Sequence, residues 1–337
     1  MMKKLFVLLL AALLAAGCAL AEAGETGLPA YDCGNGETIE AAACAWILAN
    51  EAELYAAGDV AIPCALVLET DETDPADVLA WGMYSVDQYT LLNTTLFNVS
   101  AGRVPGLMHL KKEDGRYEVT SFESVGDGDD YAEDVARIFG MREGLAERLD
   151  GCSDDHDAAL LRAVSDYVNH NGLPVTQMQN FGWAPVPLIN APETAEEDQV
   201  VHHVSDLGYS VDYDLRQFSF LDLGDDSEGF AGVEALEGIG VDVYRRPGMT
   251  AEDVIASVKE AMDDPAQEAA TLGGAEATLV YDNARGEGVT NRTYVVPVEG
   301  GCLTVAVNNT FYTMDNAPVV EGADAALDAL LAKLSVG

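Results

Sequence analysis

Apolar residues recur along this chain in two alternating rhythms. In ETIEAAACAWILANEAELYAAG (37–58), Ile39, Ala43, Trp46, Ile47 and Leu54 return near the 3.6-residue period of a helix. Thr38 is placed to cap the start of that helix and Gly58 its end. The period then falls towards two. VAIPCALVLET, VLAWGMYSVDQYTLL, TLFNVS, PGLMHLKK and YEVTSFESV read as strands separated by short polar turns, and EDGR is a hairpin turn. Helical spacing resumes over about 131–149 and about 155–171, where Leu160, Leu161, Val164, Tyr167 and Val168 share one face.

The sequence PVPLINAPETAEEDQ (185–199) interrupts the pattern with prolines and then acids. Strand signals return at LGYSVDYD, QFSFLDL, GFAGVEAL and IGVDVYRR. A well-marked helix follows in GMTAEDVIASVKEAM, with Thr250 as N-cap and Asp253 three residues on. EATLVYDN, RTYVVPV and CLTVAVNNTFYT are strands, and ADAALDALLAKLSV is a closing amphipathic helix. There is no internal repeat. The order of elements predicts an α+β protein of two domains, each with helices packed on an antiparallel sheet. The expected boundaries are a Gly-rich linker over 24–36, a first domain over 37–188, a linker over 189–203 and a second domain over 204–337.

The first 23 residues have the layout of a signal peptide. Lys3 and Lys4 precede the apolar run LFVLLLAALLAA, which is shorter than the roughly 20 residues needed to span a bilayer. Two kinds of processing fit. ALA and AEA offer small residues to a signal peptidase, whereas AAGC, ending at Cys18, resembles a lipobox in which Cys18 is lipidated and retained. Either reading sends the protein out of the cytoplasm, to the extracellular space or the cell envelope, with a lipid on Cys18 as its one expected membrane attachment.

Charge narrows the partners. Lys and Arg number 17 against 58 Asp and Glu, a net charge of −41. Nucleic acids are excluded as partners, because phosphate contacts require clustered basic residues. An unidentified ligand or an envelope protein is the partner class left. Export permits disulfides, and Cys44–Cys64 is the simplest bridge to draw. The absence of a C-x-x-C pair argues against a thioredoxin-type or zinc-ribbon site, and no cofactor motif is present.

The segment from Cys33 to about Leu188, with TDETDPADVLAWG, PGLMHLKKEDGRYEVTSF and DYVNHNGLPVTQMQNFGW, is similar to exported bacterial proteins of uncharacterised activity whose first domain is cystatin/NTF2-like. The second half, through GMTAEDVI and GGCLTV, resembles the PsbP/Mog1-like sandwiches of bacterial lipoproteins. Both resemblances imply fold more than function. The first implies a curved sheet wrapped around a helix, with a concave pocket lined by Trp81, Tyr84, Tyr89 and His109. Enzymes of that architecture place acid–base groups in the cone, which makes His109 and Asp87 the candidate catalytic pair, with Tyr84 and Tyr89 beside them. The reading favoured by the whole chain is non-catalytic binding at the envelope. A catalytic cone and a calcium-stabilised structural protein are the alternatives. For calcium, Asp71, Glu72, Asp74 and Asp77 depart from the EF-hand spacing, and Asp74-Pro75 reads as a turn.

Overall fold

The structure, a computed structural model, describes residues 27–283, 291–309 and 320–337; the signal segment over 1–23 and Cys18 lie outside them. Helices and largely antiparallel sheets make this an α+β protein. The chain forms two compact units, one of residues up to 90 together with 100–172, the other of 91–99 together with 173–337. The division at 172–173 lies upstream of the Pro-rich stretch. Within the segment expected as a linker over 189–203, Glu196–Gln199 is a 3-10 turn and Val200–Ser205 begins a sheet. The described part of the first expected linker is also packed. Leu28 is buried, Tyr31 stacks on Tyr167, and the Tyr167 hydroxyl donates to Pro29 O at 2.7 Å.

In the first unit, α1 (Ile39–Asn50) starts at Thr38, whose hydroxyl accepts from Ala41 N at 3.1 Å. Four strands follow: β1 (Val60–Asp71), β2 (Val78–Leu92), β3 (Thr95–Glu113) and β4 (Arg116–Ser124). They lie in the order β1-β2-β3, with β4 on β3. Asp114 and Gly115 both take positive φ, which gives the β3–β4 turn the twist of its flanking strands. The helix expected over 131–149 is broken into α2 (Tyr131–Ile138) and α3 (Leu145–Asp150), because Gly140 and the left-handed Gly144 interrupt it. Helix α4 (Ser153–Asn171) completes the unit.

The alternation of β2 sorts its side chains to two faces. Tyr84 and Val86 join Ile39, Ala43 and Ile47 of α1 in one apolar cluster. Trp81 and Met83 join Ile138, Phe139, Leu145 and Leu149 in another.

The second unit is built on a seven-stranded antiparallel sheet. In chain order its strands are β9 (Phe218–Gly224), β10 (Ser227–Gly232), β11 (Gly240–Pro247), β12 (Pro265–Leu272), β13 (Ala275–Asp282), β14 (Asn291–Val298) and β15 (Gly301–Asn308). In space the order is β12-β13-β14-β15-β11-β10-β9. Two short strands precede it, β5 (Gln177–Gln179) and β6 (Val186–Pro187); β5 pairs in parallel with Thr95–Phe97 of β3, which belongs to this unit.

One face of the large sheet packs on a second sheet of β7 (Val200–Ser205), β8 (Tyr209–Asp214) and β16 (Leu334–Val336), and on α6 (Ala323–Leu331). Val211, Tyr213, Phe230, Val243, Val305 and Leu327 are at the centre of that core. Helix α5 (Ala251–Glu260) covers the opposite face, but only over β13, β14 and β15, through Val254 against Val280, Val295 and Cys302. Its start carries the expected capping box between Thr250 and Asp253.

Candidate functional site

In the first unit three of the four residues expected to line a pocket are core residues, and the fourth, His109, is part-exposed. Trp81, Tyr84 and Tyr89 are 2%, 1% and 0% exposed. The Trp81 indole donates to Ile138 O at 2.9 Å, and Arg142 lies over its ring at 4.8 Å. The Tyr84 hydroxyl donates to Ala80 O at 2.8 Å, and the ring meets Phe122 edge-on. The space beside Tyr84, Phe122 and Tyr55 amounts to about 10 Å³, too little for a ligand.

His109 and Asp87 do not meet. His109 Nδ1 is 2.8 Å from Asp77 Oδ1, and its Nε2 is 3.3 Å from Glu123 Oε1. Ten residues of nearly continuous strand separate Asp77 from Asp87, a span of roughly 30 Å. Asp87 is buried and accepts from Ser85 Oγ at 3.0 Å. A Glu123–Arg137–Asp134 ion-pair chain continues the polar cluster around His109 at the surface.

The acidic stretch before β2 is a turn. Asp71 accepts from Thr73 N and Thr73 Oγ1 and pairs with Arg142; those bonds, the Thr73 hydroxyl first, hold its carboxyl down at about 2. Asp74 Oδ1 accepts from Ala76 N at 2.8 Å, and Glu72 bonds Lys112 and Tyr117. Cys33, Cys44, Cys64, Cys152 and Cys302 are all free thiols. Burial, the largest cause, pushes Cys64 up to about 12, so it is a thiol at neutral pH.

An apolar cleft with room for a ligand lies in the second unit, on the face of the large sheet that α5 leaves uncovered. The β9–β10–β11 register sets Gly229 between Leu221 and Asp242. With Ala231 and Gly240, Gly229 gives this part of the sheet a floor almost without side chains. A Cβ on Gly229 would lie 3.1 Å from Asp242 Oδ1, so that carboxylate already stands against the floor. Gly232 permits a closer approach: a Cβ there would fall 2.1 Å from Leu236 O, in the 3-10 turn Glu234–Leu236. Glu234 and Glu237 are exposed at that turn.

Two aromatics wall the cleft. Phe181 and Trp183 are 41% and 67% exposed, yet the backbone that carries them is fixed. Trp183 N donates to Asn180 O at 3.1 Å, and Gly182 N donates to Ser219 Oγ at 3.0 Å. The Gln179 amide donates to Trp183 O at 2.9 Å and to Leu215 O at 2.7 Å. Gln179 and Ser219 are fully buried. A positive φ at Gly182 makes the bend. The result is a preorganised apolar wall facing solvent, with a cleft of about 480 Å³ beside it, within the usual range for small-molecule sites.

Neither a known protein-family model nor a curated protein matches this chain.

The adjacent His202 and His203 point to opposite faces of β7. His202 is at the surface on Asp212; His203 turns inward to Glu228, 3.0 Å away, with its ring 4.5 Å from that of Phe220. Tyr209 also donates to Glu228, and burial followed by that carboxylate pushes its phenol upward. This cluster sits on the core side of β10, on the opposite face from Gly229 and Ala231.

Of the cleft residues, Phe181 and Trp183 close the stretch DYVNHNGLPVTQMQNFGW; the sequence assigns both to the first domain and the structure to the second unit. The glycine floor left a signal as well: GFAG sets small residues at i and i+2 on a strand, which leaves one strand face bare.

Proposed function

We propose that this is an exported, non-catalytic binding protein of the cell envelope, and that it holds its ligand in the second-unit cleft. The observation that carries the reading is the Phe181–Trp183 wall, two large apolar side chains kept in water by a backbone whose own bonds are buried. Isolated exposed apolar residues need no explanation, but a locked aromatic pair over a bare glycine floor is the form of a binding site. The lining is mostly aromatic, aliphatic and glycine, which supports a binding site for an apolar ligand. The net charge of −41 sets nucleic acids aside. Export rests on the signal-like first 23 residues.

The finer fold assignments belong to the same reading. A helix followed by a four-stranded antiparallel meander supports a cystatin/NTF2-like first unit. A broad antiparallel sheet with α5 on one face, and α6 with a small sheet on the other, supports a PsbP/Mog1-like second unit.

A neutral fluorescent apolar probe, N-phenylnaphthylamine, titrated into the full exported chain tests the cleft. Saturable 1:1 binding is expected, with loss of at least about tenfold in affinity in Trp183→Ala and in Ala231→Leu, which fills the floor. Binding that ignores both substitutions, or no saturable binding, would sink the reading. Intact-mass analysis of the exported protein tests the address: a chain starting after Ala21 or Ala23, or at a lipidated Cys18, is expected, and an unprocessed chain retained in the cytoplasm would refute it.

A further inference from the structure

The register of β9, β10 and β11 lays the cleft floor in two rows. Ser219, Ala231 and Gly240 form one, and Leu221, Gly229 and Asp242 form the other. Ser219 is buried under the wall, where its hydroxyl accepts from Gly182 N. Leu221 and Asp242 stand up as rims at the two ends of the second row. The Asp242 carboxylate is bonded by the Tyr244 hydroxyl, so it closes the floor as a border already in use. Between these, Gly229, Ala231 and Gly240 carry at most a methyl group. Rows two residues apart along a strand, on strands side by side, make a bare patch of roughly 7 by 5 Å, about the footprint of one or two fused rings.

This floor selects by shape. β10 is paired to β9 and β11, and β11 to β10 and β15, so their amides and carbonyls bond one another. A hydroxyl-dense body such as a sugar would leave its donors unmatched against them. A puckered or branched body would rest on its highest atoms and forfeit much of the contact, because dispersion falls off within an ångström of gap. A plane touches the floor across its whole face. The wall favours the same body: an aromatic ligand gains offset or edge-on pairing with Phe181 and Trp183 beyond the area it buries.

We infer that the occupant is a small planar aromatic molecule of one or two fused rings, laid flat on the Gly229–Ala231–Gly240 floor against Phe181 and Trp183. This rests on the cleft reading above and adds the shape and ring chemistry of the ligand. The cleft volume of about 480 Å³ leaves space for a substituent pointing to solvent.

Two probes isolate flatness. 2-Naphthol and decahydro-2-naphthol share one carbon skeleton and one hydroxyl, and both are neutral near pH 7. The saturated alcohol is puckered and has no ring electrons, and burial of apolar area alone would favour it at least equally. Each is titrated by calorimetry into the full exported chain. Naphthol is expected to bind roughly tenfold or more tighter. By NMR, the Ala231 methyl should move upfield as naphthol saturates, since a ring lying on the floor shields it. The double variant Phe181→Leu, Trp183→Leu keeps the wall apolar and removes its rings. There the preference for naphthol should shrink to about twofold or less. The saturated alcohol should keep its affinity, which also shows that the variant is folded.

Equal or tighter binding of the saturated alcohol would overturn the inference, as would an Ala231 methyl that does not move upfield or a preference that survives in the double variant. Each of those results, with the naphthylamine probe still bound, leaves the cleft as an apolar site without shape selection. If neither alcohol nor the naphthylamine probe binds, the cleft reading falls with it.

Discussion

Trp81 and Trp183 set the two units side by side. Trp81 lies in a sheet covered on both faces, with α1 over Tyr84 and Val86 and the residues from Ile138 to Cys152 over Trp81 itself. It is 2% exposed, and its indole N–H is satisfied by a main-chain carbonyl. Trp183 stands at 67% exposure over a sheet face that α5 does not reach. The residue type is the same, and the role is decided by where the covering helix stops. In the first unit large side chains fill the space under the helices. In the second, Gly229, Ala231 and Gly240 leave it open.

The sharpest way to break that comparison is Tyr84→Ala. If the first unit is filled, truncating a fully buried ring should cost about 3–5 kcal/mol in denaturant unfolding. A cost below about 1 kcal/mol would mean that the interior is looser than its packing indicates.

Acid titration should give the next largest effect. His156 on α4 is fully buried, and neither ring nitrogen has a partner among the described residues. Burial, and then Arg103, hold it down at about 4. The folded value lies below the unfolded one, so the unfolded chain takes up the proton first as pH falls. The stability from the neutral ring is complete above about pH 6.5 and is lost as pH falls towards 4, at no more than about 1.4 kcal/mol per pH unit. His156→Gln should flatten that part of the stability–pH curve, and an unchanged slope would assign the loss to other groups.

Thr250→Ala removes the cap of the helix that bounds the open face. It should cost about 1 kcal/mol and leave probe affinity alone, because α5 packs on β13–β15 and not on the cleft floor. The smallest expected effect is the most telling. Trp183→Ala should change unfolding stability by no more than about 0.5 kcal/mol while reducing probe binding. A stability loss of several kcal/mol would show that the aromatic wall is core after all.

Much of the scaffold was legible in the sequence where the signal is local. The spacing of Ile39, Ala43 and Ile47, the Thr250–Asp253 box and the Asp114-Gly115 turn each depend on a few neighbouring residues, and each is found in place. The break between α2 and α3 was legible too, in Gly140 and Gly144, but the apolar spacing across 131–149 masked it. The site was less legible because it depends on distance along the chain. His109 and Asp87 lie on neighbouring strands, yet the β2–β3 hairpin turns at 93–94, so His109 meets Asp77 near the start of β2 and Asp87 lies far along it. The cleft depends on the length of α5 and on which strands it covers, and no local spacing encodes either.

Residues 91–99 have a consequence for synthesis. They belong to the second unit although the rest of that unit begins at 173. Asn93 donates to Val200 O, and Gln177 donates to Thr95 across 82 residues. Closing a loop of that length costs about 4 kcal/mol of chain entropy. At roughly 5–20 residues per second on the ribosome, this short segment waits several seconds for its partners. A fragment starting at 173 therefore lacks a strand of its own, and adding the 91–99 peptide in trans should help it fold.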